Sequence, residues 1–195
     1  MTSGARLTFL SDYMANLSRL LENLPGDAID RSLAVLEDAF ERRAQVLIAG
    51  NGGSAATASH LQNDLMLGVA KAGHGGFRAI SLADCMPTIT AIANDDGYEH
   101  VFAQQLAALC EPGDVFLAIT GSGNSPNIIN ALKLARDRQV TTIGWLGMDG
   151  GAAASLCDIA IVVESQDYGA IENVHMVFDH LLMSYFTQWV QKRRG

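Results

Sequence analysis

Val46-Leu47-Ile48-Ala49-Gly50-Asn51-Gly52-Gly53-Ser54 is the stretch on which the fold turns. Four consecutive apolar residues, too few for a helix, run into a glycine turn, and residues 55–69 then return to helical spacing. A buried strand that opens through glycine into a helix exposes backbone N–H groups and the positive end of the helix dipole, a setting for an anion. The arrangement recurs in Phe116-Leu117-Ala118-Ile119-Thr120-Gly121-Ser122-Gly123-Asn124-Ser125. There the hydroxyls of Thr120, Ser122 and Ser125 add donors for a phosphate monoester.

Working outward, short apolar runs at 46–49, 77–82, 115–119, 141–145 and 159–163 alternate with helical stretches at 55–69, 86–93, 98–109, 127–138 and 171–191. That alternation predicts an α/β fold, a three-layer sandwich with a five-stranded parallel sheet flanked by helices, of Rossmann or flavodoxin-like type. In such sheets ligands sit beyond the carboxyl ends of the strands, where both glycine turns fall. Upstream, 7–24 and 28–43 carry apolar residues at helical spacing around Pro25-Gly26-Asp27, which predicts a helical hairpin with Asp27 placed to cap its second helix. One domain over 1–195 is expected, with the hairpin at 5–43 and an α/β core at 45–195 ending in a long helix.

Composition excludes several function classes. With 49% hydrophobic and 17% charged residues the chain reads as globular rather than disordered. A net charge of −8, with 13 Lys and Arg spread along the chain, argues against a nucleic-acid surface. The basic end Lys192-Arg193-Arg194 reads as a solvated helix terminus. Cys85, Cys110 and Cys157 are far apart among apolar residues, which predicts buried thiols rather than disulfides or a paired-cysteine zinc site. No apolar run reaches the roughly 18 residues of a membrane span, and no signal-like N-terminus is evident, so a cytoplasmic protein without membrane partners is expected.

Two nucleotide readings of the first turn fail on spacing. Gly50, Gly52 and Ala55 fit the G-x-G-x-x-G/A fingerprint, but the acidic residue it needs about twenty positions on is missing from Lys71-Ala72-Gly73-His74-Gly75, and Asp84 lies well past it. Neither turn ends in the Gly-Lys-Ser/Thr of a P-loop.

Candidate acid and base residues cluster on two helices. His60 and Asp64 are four apart and share a face, a spacing that lets an imidazole and a carboxylate address one ligand or metal. The last helix carries Glu172, His175, Asp179 and His180 in an otherwise apolar stretch. His175 and Asp179 form an i, i+4 pair open to a structural or a functional role. Glu172 and His180 differ by roughly 80° around the axis, so both reach one site only if it lies across the helix face. In Asn94-Asp95-Asp96-Gly97-Tyr98, Asp95 either caps the next helix or faces the ligand.

At these residues the chain resembles the sugar-isomerase (SIS) domain family, and within it the phosphoheptose isomerase branch. The resemblance rests on the N-terminal helical pair, Gly50 to Ser54, Ala93-Asn94-Asp95, Gly113-Asp114-Val115, Ser122-Gly123-Asn124-Ser125, Gly147 to Gly151 and His180, and spans nearly the whole chain. It implies an aldose–ketose isomerase of heptose biosynthesis, a homotetramer whose active sites include residues of neighbouring subunits. By resemblance, Ser54, Thr120, Ser122 and Ser125 hold the phosphate, with Asn51, Gly52, Gly53, Gly121 and Asn124 completing the turns and Asn94 and Asp95 nearby. Asp64 and His180 stand at the positions of the family's acid and base, with Glu172 as a further carboxylate. His60, Asp64, Glu172 and His180 match positions that hold zinc in some members, so Zn2+ or another divalent cation is an implied cofactor.

The chain also departs from the family. Asp64 replaces a usual glutamate, shortening its reach by about 1.5 Å. Glu172 stands where a glutamine is common, Val69 to Gly73 lacks a frequent arginine, and Gly169-Ala170 replaces polar residues. An alternative is a non-catalytic sugar-phosphate-binding regulator or replication-initiator partner. A sister branch with that role lacks the catalytic histidine, so His180 argues against it.

Overall fold

The computed structural model describes residues 2–73 and 75–193, leaving His74 and Arg194 of the stretches named above outside the described residues. Its five parallel strands lie side by side in the order β2 (Arg78–Ser81), β1 (Gln45–Gly50), β3 (Val115–Thr120), β4 (Thr141–Gly147) and β5 (Ile159–Val163). β1 and β3 are covered on both faces, which is why their sequences are almost unbroken apolar runs instead of alternating ones. Successive side chains point to opposite faces. Val46, Ile48, Leu117, Ile119 and Trp145 therefore enter one core with Phe178, Leu182 and Phe186, while Leu47, Ala49, Phe116 and Ala118 enter a second with Leu106, Ile128 and Leu132.

The strand order reverses between β1 and β3, and this switch point positions the site. β1 pairs with β3 from Val46↔Val115 to Gly50↔Ile119, so the two glycine turns leave the sheet as neighbours at the same carboxyl edge. Beyond them run α3 (Gly53–Asn63) and α6 (Pro126–Asp137). At the opposite edge, Asp114 accepts from the backbone N–H of Gln45 (2.7 Å) and of Glu111 (2.9 Å), tying the start of β1 to that of β3.

Several details differ from the sequence expectations. α1 (Ser3–Glu22) and α2 (Gly26–Arg42) form the hairpin, but α2 begins after Pro25 without a side-chain cap. Asp27 lies inside its first turn, where it favours the helix through the dipole alone. The helix expected over 55–69 is three pieces: α3, a π turn at Asp64–Gly68 and a 3-10 turn at Val69–Ala72. Such π turns recur at functional sites, and this one starts on Asp64. A short α7 (Gly151–Ala154), too brief to leave a periodic signal, follows β4.

The long α8 (Tyr168–Lys192) starts earlier than its apolar spacing suggests, because Asp167 caps it by accepting from the N–H of Gly169 and Ala170. Two further helices cover the second core, α4 (Met86–Asp95) and α5 (Val101–Leu109). Cys110 is buried and Cys157 half-buried, its thiol pushed up to about 12 by burial, but Cys85 is exposed, at the loop entering α4. Arg193 at the basic end lies over the Trp189 ring at 4.3 Å and pairs with Glu41 at 2.5 Å. Among the described residues no helix is long and apolar enough to cross a membrane.

Candidate functional site

Both turns are shaped by glycines that no other residue could replace without displacing backbone. A Cβ on Gly50 would stand 2.5 Å from Ser54 O, and one on Gly123, whose φ is +64°, would overlap Gly150 O. The tight first turn delivers Ser54 to the start of α3, and neither Gly52 before α3 nor Ser125 before α6 supplies a side-chain cap. Two uncapped helix N-termini thus face one cavity of about 130 Å³ lined by Asn51, Ser54, Thr120, Ser122, Ser125 and Glu172. Hydroxyls and helix-end N–H groups around one partly open cleft give it the character of an anion pocket.

Part of the turn chemistry serves the scaffold. Asn51 and Asn127 exchange two amide hydrogen bonds of 2.9 Å, and Tyr98 donates to Asn51 Oδ1 at 2.9 Å, so the first turn is locked to the start of α6. Asn124 accepts from the N–H of Ala152 and donates to Ser122 O, holding the second turn against α7. Sequence reasoning missed Tyr98, Asn127 and Tyr168, which lines the cavity. Asn51, the partner of Tyr98 and Asn127, is 47 and 76 residues away from them in sequence, and no local pattern announces these contacts. Asp84, too distant for a ribose, instead accepts from the hydroxyls of Ser59 and Ser81, tying α3 to the loop after β2.

A second constellation stands farther along α3 and α8. His60, Asp64 and His180 bring one donor atom each to within 4.8 Å of one another. His60 Nδ1 lies 3.8 Å from Asp64 Oδ2, and the His60 and His180 rings meet edge to face at 5.1 Å. Two imidazoles and a carboxylate that leave further coordination positions open suit zinc in a catalytic setting, so the residues present fit a divalent cation. Glu172 is placed elsewhere. Its carboxylate lies against Gly53 at the start of α3, in the anion pocket, and not in the His60, Asp64 and His180 group.

Asp179 and His175 do not form the pair their spacing allows. Asp179 is fully buried and its Oδ2 meets His60 Nδ1 at 2.8 Å, while Oδ1 has no hydrogen-bond partner. Burial raises its carboxyl to about 6, against the opposing pull of the His60 contact. His175 turns the other way, its Nε2 3.4 Å from Leu146 O and its Nδ1 without a partner, and burial pushes it down to about 4. Asn94 and Asp95 end α4 at the surface, hydrogen-bonded to each other at 2.7 Å and outside the cavity lining. Asp95 caps no helix, for α5 follows His100.

The His175 environment has a measurable consequence. Between pH 6.5 and about 4 the unfolded chain binds a proton at this imidazole that the folded chain does not, so stability falls as pH falls through that window. The depression corresponds to roughly 3 kcal/mol. Relative to His175→Gln, the parent protein is expected to lose that much between pH 6.5 and 4 in urea denaturation. Asp179, raised on folding, has the opposite slope below pH 6 and is common to both proteins, so it cancels in the difference. Parallel curves would mean that His175 takes up its proton as readily in the folded state as in the unfolded one.

The SIS domain family is matched over residues 9–147. A phosphoheptose isomerase of Pelobacter propionicus is 45% identical over 149 residues, 76% of this chain and 78% of that one. One of Aliarcobacter butzleri is 38% identical over 182 residues, 93% of this chain and 95% of that one. Among solved structures, a phosphoheptose isomerase from Francisella tularensis superposes with a TM-score of 0.88 at 30% identity, covering 96% of this chain and 100% of that chain.

Proposed function

The chain belongs to the SIS domain family, in its phosphoheptose isomerase branch, and from that premise we propose that it interconverts sedoheptulose 7-phosphate and a D-glycero-D-manno-heptose 7-phosphate through a cis-enediol. One observation carries the proposal: the anion pocket and the His60, Asp64 and His180 group are set along the same two helices, α3 and α8. From Ser54 to His60 the axis of α3 rises about 9 Å. The six carbon–carbon bonds between C1 and C7 of an open heptose, each roughly 1.5 Å, project to about 8 Å. A phosphate held by Ser54, Thr120, Ser122 and Ser125 therefore leaves C1 and C2 near the second group.

Asp64 and His180 then move the proton. One takes it from the carbon beside the carbonyl, and the other exchanges a proton with the carbonyl oxygen, so that reprotonation at the neighbouring carbon turns ketose into aldose. Glu172, at the pocket end of α8, is a second carboxylate within the substrate's span. His60, Asp64 and His180 would hold a divalent cation, while Glu172 stays on the pocket side. When bound, such a cation supplies Lewis-acid polarisation of the carbonyl oxygen.

The assembly belongs to the same proposal. Leu7, Phe9, Leu10 and Met14 of α1 are 57–65% exposed, and α4 buries none of its residues while showing Met86 to solvent. An apolar surface of this kind marks an interface. In a homotetramer it is covered, and Asn94 and Asp95 serve a neighbouring subunit's site. A cytoplasmic location suits a phosphorylated metabolite.

The test is incubation of purified, zinc-supplemented protein with sedoheptulose 7-phosphate in D2O. Aldose formation with solvent deuterium at the carbon beside the carbonyl is expected. A substrate recovered unchanged and unlabelled would refute the isomerase. In that case a stable complex with a replication or regulatory protein would favour the non-catalytic alternative.

A further inference from the structure

We propose that Asp179 is a positioning residue that fixes the tautomer and orientation of His60, holding a proton on Nδ1 so that Nε2 is presented to the cation or substrate. The inference rests on the reading of His60, Asp64 and His180 as the reactive group. Three observations carry it. Asp179 comes from α8 and His60 from α3, so their 2.8 Å contact joins the two helices that build the site. The carboxylate is fully buried, while the His60 side chain remains 42% exposed on its other side. Finally, Asp179 Oδ1 is buried with no hydrogen-bond partner, and His60 is the one side chain hydrogen-bonded to this carboxylate among the described residues.

A carboxylate retained only for packing would be poorly placed. Burying an ionisable group with one oxygen unsatisfied costs stability, and a leucine or asparagine of similar size would fill the space at lower cost. A histidine that binds a metal through one nitrogen commonly donates its other N–H to a carboxylate, which orients the ring and raises the basicity of the ligating nitrogen. Asp179 and His60 have that relation. The immediate neighbour of Asp179 in sequence is His180, so the turn of α8 that orients one imidazole also carries the other.

The experiment compares the full chain with Asp179→Asn, which keeps shape and a neutral acceptor, and Asp179→Leu, which removes the acceptor. Zn2+ alone is titrated into metal-stripped protein by calorimetry, the His60 tautomer is read from 15N NMR shifts assigned with His60→Gln, and thermal midpoints are recorded. Zinc affinity is expected to fall about 10–100-fold, more for Leu than for Asn. The Nδ1–H form is expected in the parent and lost in the Leu variant, with thermal midpoints unchanged or raised. Equal zinc affinity and an unchanged tautomer in all three proteins would overturn the proposal, as would an Nε2–H tautomer in the parent, which needs no variant to fold. If the parent isomerises sugar phosphate without binding Zn2+, the metal reading falls alone. The tautomer then still decides the role of Asp179, its loss in the Leu variant supporting positioning and its persistence overturning it.

Discussion

His180→Ala is expected to lower kcat for heptose-phosphate isomerisation by about 10²–10⁴-fold, the range supplied by one positioned proton-transfer group. His180 is exposed on α8 and contributes to neither core cluster, so its removal leaves the sheet and its packing intact. It touches the site through the edge-to-face contact with His60 and its proximity to Asp64. The anion pocket is built by other residues, so KM and inhibition by inorganic phosphate are expected to stay within a few-fold of the parent. A loss confined to kcat reports an interaction made only in the transition state. Steady-state kinetics with the variant would exclude His180 from catalysis if kcat fell less than tenfold, and a rise in KM alone would reassign it to substrate binding.

Gly50→Ala should have the second large effect, and of the opposite kind. The added Cβ meets Ser54 O at 2.5 Å, Ser54 C at 2.6 Å and Ser54 Cβ at 2.8 Å, so the backbone at the entry to α3 has to move. These contacts involve main chain, which cannot rotate away. Such overpacking costs roughly 1–3 kcal/mol of stability. Because Ser54 and the first N–H groups of α3 shift together, protection of the protein by phosphate against thermal unfolding should disappear and KM for the sugar phosphate should rise at least tenfold. Differential scanning fluorimetry with and without phosphate checks this directly. A variant that keeps its phosphate-induced rise in Tm would show that the first turn does not anchor the anion.

The two predictions separate the halves of the site, and the halves differ in how legible they were. The turns could be read because a local rule produces them: an apolar run, glycine at a close approach, then helical periodicity. Asn51 and Asn124, by contrast, lie within those turns yet serve largely to lock them to α6 and α7. Nothing in a linear pattern distinguishes a side chain aimed at a ligand from one aimed at a neighbouring loop. The i, i+4 rule correctly put His60 beside Asp64, but it also allowed a His175–Asp179 pair that does not form. On a buried helix the partner is chosen by the element packed across from it, and α3 supplies His60 to Asp179 where β4 supplies a carbonyl to His175.

By itself, then, the sequence determined the five-stranded α/β architecture, the hairpin, and the glycine turns at the carboxyl ends of β1 and β3, because periodicity and glycine stereochemistry act over a few residues. Tertiary structure alone decided which titratable groups meet. It joined Asp179 to His60, set Glu172 in the anion pocket and apart from His60, Asp64 and His180, and broke the expected helix into a π turn at Asp64. Those outcomes depend on the approach of α8 to α3, 119 residues apart at the His60–Asp179 contact, and on the desolvation that follows when two helices close over polar side chains.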